Sequence, residues 1–306
     1  MTQTTEKREL FAPGHTACSG CGQSLAARLV LEAAGPDIVI ANNTGCLEVF
    51  TTRAPMSSWG VPWIHSLFEN SAALASGIDV ALRAQGNDHT KVLAFGGDGG
   101  TADIGFGALS GMLERGHDVL YVCFDNEAYM NTGIQRSGLT PFCGSTTTSP
   151  AGKKSMGKHE YKKDMPAIVA AHHIPYVATA CVSYPRDLQR KVKKALSICG
   201  PKYIQVMVPC PLGWYHKPEE TYKVGRLAVE TGLYPLFEIE NGDVTRVQKI
   251  KEKIPVEEYL KIQRRFRQLF ASEEGKEDIK KIQEYADRNI EHYGLMADPV
   301  GAAKNE

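Results

Sequence analysis

Five short apolar runs, separated by segments long enough to hold a helix, constrain the fold of this chain more than any other feature. Continuous apolar runs are typical of strands buried on both faces, and long connections of this kind join parallel strands. We therefore predict an α/β fold with a doubly wound, mostly parallel sheet. The predicted strands are Asp37–Ala41, Lys91–Phe95, Val119–Phe124, Tyr176–Val182 and Tyr203–Val208.

Several of the connecting segments carry apolar residues at helical spacing. The alanine-rich segment Glu69–Gln85 ends before Gly86, a residue type that commonly follows a helix end. Residues 131–163 are polar and lack periodicity, so we predict a long functional loop there. The basic run Arg190–Lys194 is expected to be a solvent-exposed helix face. The other predicted helices are Ser24–Ala34, Ala102–Arg115, Met165–His173 and Pro185–Cys199.

The character of the sequence changes at about Leu212. Beyond it, segments interrupted by glycine and proline lead into two charged helical stretches, Val256–Phe270 and Glu277–Tyr293. We predict two parts on this basis. Residues 1–211 form the α/β domain that carries the functional site, and residues 212–306 form a helical C-terminal extension that packs on this domain or on a partner subunit.

The composition argues against several classes of protein. Lysine and arginine together number 35, as do aspartate and glutamate, so the formal net charge of the 306 residues is zero. A chain without excess positive charge lacks the footprint of a nucleic-acid-binding or polybasic membrane-binding protein. No stretch approaches the roughly 20 apolar residues of a membrane-spanning helix, and the N-terminus has no apolar signal-peptide region. We expect a cytoplasmic protein, in which cysteines favour thiolate ligation over disulfides.

A glycine-rich run, Gly-Gly-Asp-Gly-Gly at positions 96–100, lies between a predicted strand and a predicted helix. Glycines at such a turn let backbone N–H groups approach phosphate oxygens closely. Asn126 stands 28 residues beyond Asp98 and follows the next strand, which returns it to the same edge of the sheet. A diphosphate needs a hard cation such as Mg²⁺, for which Asp98, Asn126 and the carbonyl of Ala128 offer oxygen ligands.

Four cysteines form a second candidate site. Cys18 and Cys21 share one tight turn, while Cys46 and Cys210 each follow a predicted strand. Four thiolates can hold a [4Fe–4S] cluster, although a Cys-x-x-Cys pair also suits a zinc ion or a redox dithiol. The remaining cysteines are expected to be structural; they are Cys123, Cys143, Cys181 and Cys199.

Two longer runs around these residues carry a family resemblance. They are Gly-Asp-Gly-Gly-Thr-Ala-Asp-Ile-Gly at 97–105 and Asp-Asn-Glu-Ala-Tyr-Met-Asn-Thr-Gly at 125–133. Gly-Asp-Gly followed by an asparagine about 28 positions later is the thiamin diphosphate signature. The wider text resembles the β subunits of the 2-oxoacid:ferredoxin oxidoreductases. The likeness extends from residue 14 to residue 214 and, more weakly, to about residue 270.

The resemblance implies a thiamin diphosphate-binding fold and an oxidoreductase activity. Members of this family decarboxylate a 2-oxoacid oxidatively with coenzyme A, giving acyl-CoA, CO₂ and reduced ferredoxin. Pyruvate is the substrate we expect first, with branched-chain 2-oxoacids, aryl glyoxylates and oxalate as other possibilities. A non-redox thiamin-dependent decarboxylase or synthase subunit and an iron–sulfur electron-transfer subunit are the alternatives. The four cysteines argue against the former, and the intact Asp98, Asn126 and Asn131 argue against the latter.

The resemblance also implies roles for particular residues. It assigns one [4Fe–4S] cluster to Cys18, Cys21, Cys46 and Cys210, and substrate contact, as the catalytic residue, to Asn131. Many relatives have glutamate where this chain has Gln23, so the cofactor contact of Gln23 is less certain. The expected cofactor-binding residues are Gln23, Cys46, Gly97, Asp98, Gly99, Gly100, Asn126, Glu127, Ala128, Tyr129, Met130, Asn131 and Thr132.

The family pattern further implies that the active complex contains other subunits. Thiamin activation requires a glutamate beside the aminopyrimidine ring, and this residue belongs to a pyrimidine-binding domain on an α subunit. The other expected partners are γ and δ (ferredoxin-like) subunits or fused equivalents, ferredoxin and coenzyme A. The chain has room for only one such α/β domain, so we predict that it is inactive alone.

Overall fold

A computed structural model describes residues 9–53, 55–152 and 154–297. Residues 1–8 of the first predicted part and residues 298–306 of the second therefore lie outside the described residues. The strands are β1 (Ile38–Asn42), β2 (Trp63–His65), β3 (Lys91–Gly97), β4 (Val119–Asp125), β5 (Ala151–Gly152), β6 (Ser155–Met156), β7 (Tyr176–Cys181), β8 (Lys202–Met207), β9 (Phe237–Glu240) and β10 (Asp243–Val247).

Eight of these strands form one sheet in the order β10-β9-β7-β8-β4-β3-β1-β2. Every neighbouring pair from β7 to β2 is parallel, while β9 pairs antiparallel with both β7 and β10. The five predicted strands are all present within one or two residues at each end. The chain leaves β1 toward β2 but leaves β3 toward β4, in the opposite direction across the sheet, so the direction of winding changes between β1 and β3. Ligands of such sheets bind beyond the carboxyl ends of the strands near a change of this kind.

Helices cover both faces of the sheet. They are α1 (Gly22–Ala34), α2 (Cys46–Thr51), α3 (Ser71–Ala84), α4 (Asp98–Ala102), α5 (Phe106–Glu114), α6 (Met165–Ala170), α7 (Pro185–Leu196), α8 (Pro211–Trp214), α9 (Thr221–Glu230), α10 (Val256–Lys261) and α11 (Glu273–His292), with 3₁₀ helices at Pro218–Glu220 and Arg264–Phe270.

The alternation of buried residues along β3 shows how the two layers form. Leu93 and Phe95 pack in the core under α1 and α7, whereas Val92 and Ala94 pack in the core under α3, α5 and α6. Successive side chains of a strand point to opposite faces, so a strand that is apolar at every position needs cover on both. The predicted doubly wound, mostly parallel fold is confirmed.

Two sequence-based predictions were wrong in detail. The helix predicted over Ala102–Arg115 begins only at Phe106, as α5, and a separate short helix, α4, covers Asp98–Ala102 and ends at Asp103. The basic run Arg190–Lys194 is not a solvated face, because Glu238 of β9 is fully buried beside it. Glu238 pairs with Arg190 at 2.7 Å and with Lys194 at 3.1 Å. These two ion pairs neutralise the Glu238 carboxylate, which allows a charged residue in the buried strand β9. The sequence pattern did not reveal this strand.

The C-terminal part is largely helical, as predicted, but it also adds β9 and β10 to the sheet. Its apolar residues share one core with residues of the α/β part: Trp214 and Phe266 pack in the same cluster as Cys181 and Met207. Among the described helices, none is both long enough and apolar enough to cross a bilayer.

Candidate functional site

A cleft opens beyond the carboxyl ends of β1, β3 and β4. It is lined by the segments that follow these three strands, together with residues from α1 and from the turn before α3. Of the expected cofactor-binding residues, all except Glu127 line this cleft. The full lining is Gln23, Asn42, Asn43, Thr44, Gly45, Cys46, Leu47, Phe68, Gly96, Gly97, Asp98, Gly99, Gly100, Phe124, Asn126, Ala128, Tyr129, Met130, Asn131 and Thr132.

Three oxygen-bearing groups converge at the floor of the cleft. The side-chain amide of Asn126 faces the carbonyl oxygen of Ala128 at 2.8 Å and Oδ1 of Asp98 at 2.9 Å. With its nitrogen turned toward them, the amide would donate hydrogen bonds to both oxygens. With its oxygen turned toward them, three acceptor oxygens face one another, an arrangement that a bound cation would stabilise.

Asp98 is a buried carboxylate in this cleft. Its side chain is 2% exposed, and it accepts a short hydrogen bond from the hydroxyl of Ser137. Burial and the nearby Asp125 carboxylate raise the pKa of Asp98 well above its usual range. No residue in the described ranges forms an ion pair with Asp98. A bound cation would stabilise the charged form of such a buried carboxylate.

The glycines of the 96–100 run have two different functions. An added Cβ at Gly99 would lie 2.4 Å from the ring of Tyr129, and one at Gly100 would lie 2.1 Å from Nδ2 of Asn43. Glycine is therefore needed at both positions for close packing. A Cβ at Gly97 would meet nothing within 4 Å, although this residue lines the cleft. The open space beside Gly97 is large enough to admit part of a ligand.

Three side chains in the cleft carry buried polar atoms without a hydrogen-bond partner among the described residues. These atoms are Oε1 of Gln23, Oδ1 of Asn42 and Nδ2 of Asn43. Unsatisfied buried polar groups are costly, and they occur where a ligand or water completes the bonding. Sequence reasoning missed Asn42 and Asn43. Asn42 is the last residue of β1 and Asn43 follows it, so their position at the carboxyl end of a strand is the same signal that identified Asp98 and Asn126.

Glu127 is the exception among the expected cofactor-binding residues. It does not line the cleft, and its carboxylate forms ion pairs with Lys162 at 2.9 Å and Arg265 at 2.6 Å. Burial raises the pKa of Glu127, but these two cations outweigh it and hold the pKa below its usual value. The Glu127 side chain therefore lies behind the loop of residues 126–130 rather than in the cleft.

The two residues that follow this loop lie at the mouth of the cleft. Asn131 and Thr132 are both exposed and both line the opening. The hydroxyl of Thr132 donates to Oε1 of Gln135 at 2.6 Å, which fixes its orientation, whereas Asn131 remains available to a ligand. Across the cleft, the hydroxyl of Thr44 lies 2.9 Å from Nε2 of His65, an exposed side chain on β2.

The four candidate cluster cysteines come from three separate segments. Cys21 directly precedes α1, Cys46 is the first residue of α2, and Cys210 directly precedes α8. The backbone N–H of Cys21 donates to the carbonyl of Cys18 at 3.1 Å. The N–H of Gly22 donates to the carbonyl of Pro209 at 3.2 Å, which brings the segments of Cys21 and Cys210 side by side.

The thiols also influence one another electrostatically. Burial, followed by Cys210, Cys21 and Cys18, raises the pKa of the Cys46 thiol. Burial likewise raises the pKa of Cys210 to about 11. Nevertheless, in the part of the chain that the structure describes, no three His, Cys, Asp or Glu side chains are gathered as ligands of one metal ion. All four thiols are free, and Cys18 is exposed.

Cys46 connects the two candidate sites. It lines the cleft, and its thiol is influenced by the Asp98 carboxylate as well as by the other three cysteines. Met130 provides a second connection, because it also lines the cleft and lies against Gly213 of α8, close to Sγ of Cys210. The cleft and the cysteines are therefore neighbours at one edge of the sheet.

Comparison with known proteins matches one protein family and several relatives that share a name. Residues 43–206 match the family described as thiamine pyrophosphate enzyme, C-terminal TPP binding domain. Pyruvate synthase subunit PorB of Methanocaldococcus jannaschii is 58% identical over 94% of this chain and 98% of the relative. The protein of the same name from Methanosarcina barkeri is 56% identical over 97% of this chain and all of the relative.

A further relative carries a different name. Ketoisovalerate oxidoreductase subunit VorB of Pyrococcus abyssi is 45% identical over 96% of this chain and 95% of its own length. Among solved structures, the 2-oxoglutarate:ferredoxin oxidoreductase of Magnetococcus marinus is similar in fold, with a TM-score of 0.55 and 23% identity over 69% of this chain and 70% of that chain.

Proposed function

Because this chain belongs to the thiamine pyrophosphate enzymes, and among them to the β subunits of the 2-oxoacid:ferredoxin oxidoreductases, we propose that it binds the thiamin diphosphate of such an enzyme. The proposed reaction is oxidative decarboxylation of a 2-oxoacid with coenzyme A to acyl-CoA, with ferredoxin as electron acceptor. Relatives named pyruvate synthase subunits align over nearly the whole chain, which supports pyruvate as the substrate.

The observation that carries the proposal is the convergence of the Asn126 side-chain amide with oxygens of Asp98 and Ala128, where the amide oxygen would face a bound metal. Neighbouring oxygen ligands of an octahedral Mg²⁺ lie about 3.0 Å apart, because each metal–oxygen bond is about 2.1 Å and adjacent bonds meet at right angles. The separations of 2.8 and 2.9 Å fit this geometry. These three groups would hold the metal, and diphosphate oxygens and water would complete its coordination.

The surrounding residues fit a diphosphate. Gly97 leaves open space beside the metal ligands, and the unpartnered Nδ2 of Asn43 is a donor suited to a phosphate oxygen. Gln23 and Asn42 present unpartnered acceptors in the same cleft. When bound, thiamin diphosphate supplies the carbon nucleophile for the 2-oxo carbon, and an adjacent iron–sulfur cluster supplies a one-electron acceptor.

The donor set of the cysteines fits a [4Fe–4S] cluster better than a single zinc ion. A zinc site draws four thiolates to about 2.3 Å from one atom. A cubane, in contrast, spreads its ligands around four irons. The thiols of Cys18, Cys21 and Cys210 contribute to the raised pKa of Cys46, and the place of Cys46 beside the cleft suits an electron acceptor better than a structural zinc ion. Cys18, Cys21, Cys46 and Cys210 would hold the cluster, with Cys46 on its cofactor side.

Asn131 would contact the reacting substrate as the catalytic residue of this chain. It lies exposed at the mouth of the cleft, beyond the metal ligands Asn126 and Ala128, where a substrate bound to the cofactor would enter. We propose that a partner α subunit closes the cleft and supplies the activating glutamate. The γ and δ subunits, cytoplasmic ferredoxin and coenzyme A belong to the same proposal.

The test is an assay of the complex purified anaerobically with its partner subunits. We expect a brown protein that contains thiamin diphosphate and magnesium and bleaches when a 2-oxoacid and coenzyme A are added. Profiling pyruvate, ketoisovalerate and other 2-oxoacids identifies the substrate. A colourless complex containing zinc would refute the cluster. Substantial 2-oxoacid turnover by the isolated chain would refute the need for a partner glutamate.

A further inference from the structure

Behind the loop that carries the proposed metal ligands Asn126 and Ala128 lies a largely buried group of four charged residues. The proposed chemistry does not use them. Lys162 bonds to Asp125 at 2.6 Å and to Glu127 at 2.9 Å, and Arg265 bonds to Glu127 at 2.6 Å. Asp125, Glu127 and Arg265 are each less than 5% exposed. Two carboxylates and two cations cancel, so we refer to these four residues as the charge cluster.

The charge cluster acts on the segment that carries two of the proposed metal ligands. Glu127 lies between Asn126 and Ala128 and has a φ of 69°, in the left-handed region that non-glycine residues rarely adopt. This conformation allows the side chain of Asn126 and the carbonyl of Ala128 to face the same point. Because the conformation is unfavourable, other contacts must hold it.

The contacts that hold this segment are all buried. The N–H of Glu127 donates to Oδ1 of Asp125 at 3.1 Å, and its carbonyl accepts from the hydroxyl of Thr140 at 2.7 Å. The carbonyl of Asn126 accepts from Nε1 of Trp214 at 2.7 Å. Both backbone groups of Glu127 and the carbonyl of its neighbour are therefore fixed.

Arg265 is the one member of the charge cluster that comes from the C-terminal part. Its guanidinium lies 3.9 Å above the ring of Trp214, and its Nε donates to Oε1 of Gln263 at 2.9 Å. It therefore holds Glu127 through the carboxylate and supports Trp214, which in turn holds Asn126. Arg265 therefore stabilises both Glu127, by direct contact, and Asn126, through Trp214.

We propose that Arg265 is a positioning residue for the metal–diphosphate site, acting through Glu127 and Trp214. The proposal rests on the proposed function, since it requires Asn126 and Ala128 to be metal ligands. Removal of Arg265 leaves the buried Glu127 carboxylate with one cation, Lys162, instead of two. Truncating one partner of a buried ion pair is strongly unfavourable. The segment would then leave its left-handed conformation, and the three oxygens would lose their spacing.

The test uses the complete complex, stripped of cofactor and titrated with Mg²⁺ and thiamin diphosphate while tryptophan fluorescence is followed. Arg265→Gln is expected to raise the apparent Kd for the cofactor about tenfold or more, as expected for loss of one buried charge-assisted contact. Arg190→Gln is the matched control, because Arg190 also pairs with a buried glutamate, Glu238, far from the loop. It should lower the thermal midpoint but leave cofactor affinity within about twofold of the parent.

Further variants separate the possible outcomes. Arg265→Lys keeps the charge but loses the planar contact with Trp214, and should give an intermediate affinity even if Arg265→Gln does not fold. Equal cofactor affinity in the Arg265→Gln, Arg265→Lys and parent complexes would overturn the proposal, whatever the stability. If Asp98→Asn also leaves affinity unchanged, the metal site itself is wrong; if Asp98→Asn abolishes binding, only the role of Arg265 is rejected.

Discussion

The cleft and the cysteine site meet at Cys46, yet they are built in different ways. The polar groups of the cleft follow adjacent parallel strands, and their side chains are buried: Asp98 is 2% exposed and Asn126 6%. The cysteines come from three helix starts far apart in sequence, and Cys18 is exposed. The sheet therefore preorganises the cleft, whereas the proposed cluster would itself draw the four thiols together.

This difference predicts that the two sites respond separately to substitution. Loss of a cleft residue should remove the thiamin cofactor from an otherwise intact site, because strands β1, β3 and β4 keep the edge in place. Loss of a cysteine should remove the cluster and loosen the segments it joins, because a metal centre contributes folding free energy where the ligands are not already fixed.

The largest effect is expected for Asp98→Asn. The variant lacks the carboxylate that the metal requires, and Lewis-acid metal sites contribute several kcal/mol, so 2-oxoacid turnover should fall about 1000-fold. Thiamin diphosphate content should fall with it, while iron content stays at the parent value. Asp243→Asn, at an exposed position on β10, is the control. Loss of iron together with the cofactor would show that the two sites are not independent.

Cys46→Ala should affect the cluster more than the cofactor. We expect iron content and visible absorbance to collapse, and ferredoxin-linked turnover to fall about 100-fold, because one of four ligands is missing. Thiamin diphosphate should still bind, since Asp98, Asn126 and Ala128 are unchanged. Cys199→Ala, an exposed cysteine outside the site, should leave iron content unaltered. Full iron content in Cys46→Ala would exclude Cys46 as a ligand.

Gly97→Ala tests the cleft alone. The backbone at Gly97 has a φ of −76°, which alanine adopts freely, and the new Cβ meets nothing within 4 Å. Thermal stability should therefore stay within about 0.5 kcal/mol of the parent. The methyl group occupies space that the diphosphate needs, so cofactor affinity should fall about tenfold, measured by titration. Unchanged affinity would place the diphosphate elsewhere.

The metal ligands that the sequence predicts share one physical property: they follow predicted strands. Asp98, Asn126 and Ala128 were found because parallel strands deliver their carboxyl ends to one edge. Asn42 and Asn43 obey the same rule, but an asparagine pair carries less chemical information than a carboxylate among glycines. The direction of the Glu127 side chain could not be predicted, because its partner Arg265 stands 138 residues away.

The same limits apply to the fold. The parallel strands were predictable because their apolar runs are continuous. Strand β9 was not, because the charged Glu238 interrupts its apolar run and is compensated only by ion pairs with the distant Arg190 and Lys194. The break between α4 and α5 falls at Asp103. The carboxylate of Asp103 accepts hydrogen bonds from the hydroxyl of Tyr129 at 3.1 Å and the N–H of Gly138 at 2.9 Å. Such long-range contacts override local helix propensity.

Lys158 tests whether the 131–163 loop is held as firmly as the cleft that it adjoins. Its Nζ is buried and donates to the carbonyls of Gly138 at 3.2 Å, Thr140 at 2.6 Å and Tyr161 at 3.3 Å. Lys158→Met removes these donors and should lower the free energy of unfolding by about 1–3 kcal/mol at pH 7, measured by chemical denaturation.

The difference in free energy of unfolding between the parent and Lys158→Met should depend on pH. Burial lowers the pKa of Lys158 from 10.5 to about 8. Between these values the folded protein has released a proton that the unfolded chain keeps, so stability rises with pH in that window. The parent should therefore gain stability relative to Lys158→Met as pH increases from 8 toward 10.5, and their difference should be constant below pH 7. A difference that stays flat up to pH 10 would mean that Lys158 titrates as it does in water, and that the loop is open to solvent while the cleft beside it is not.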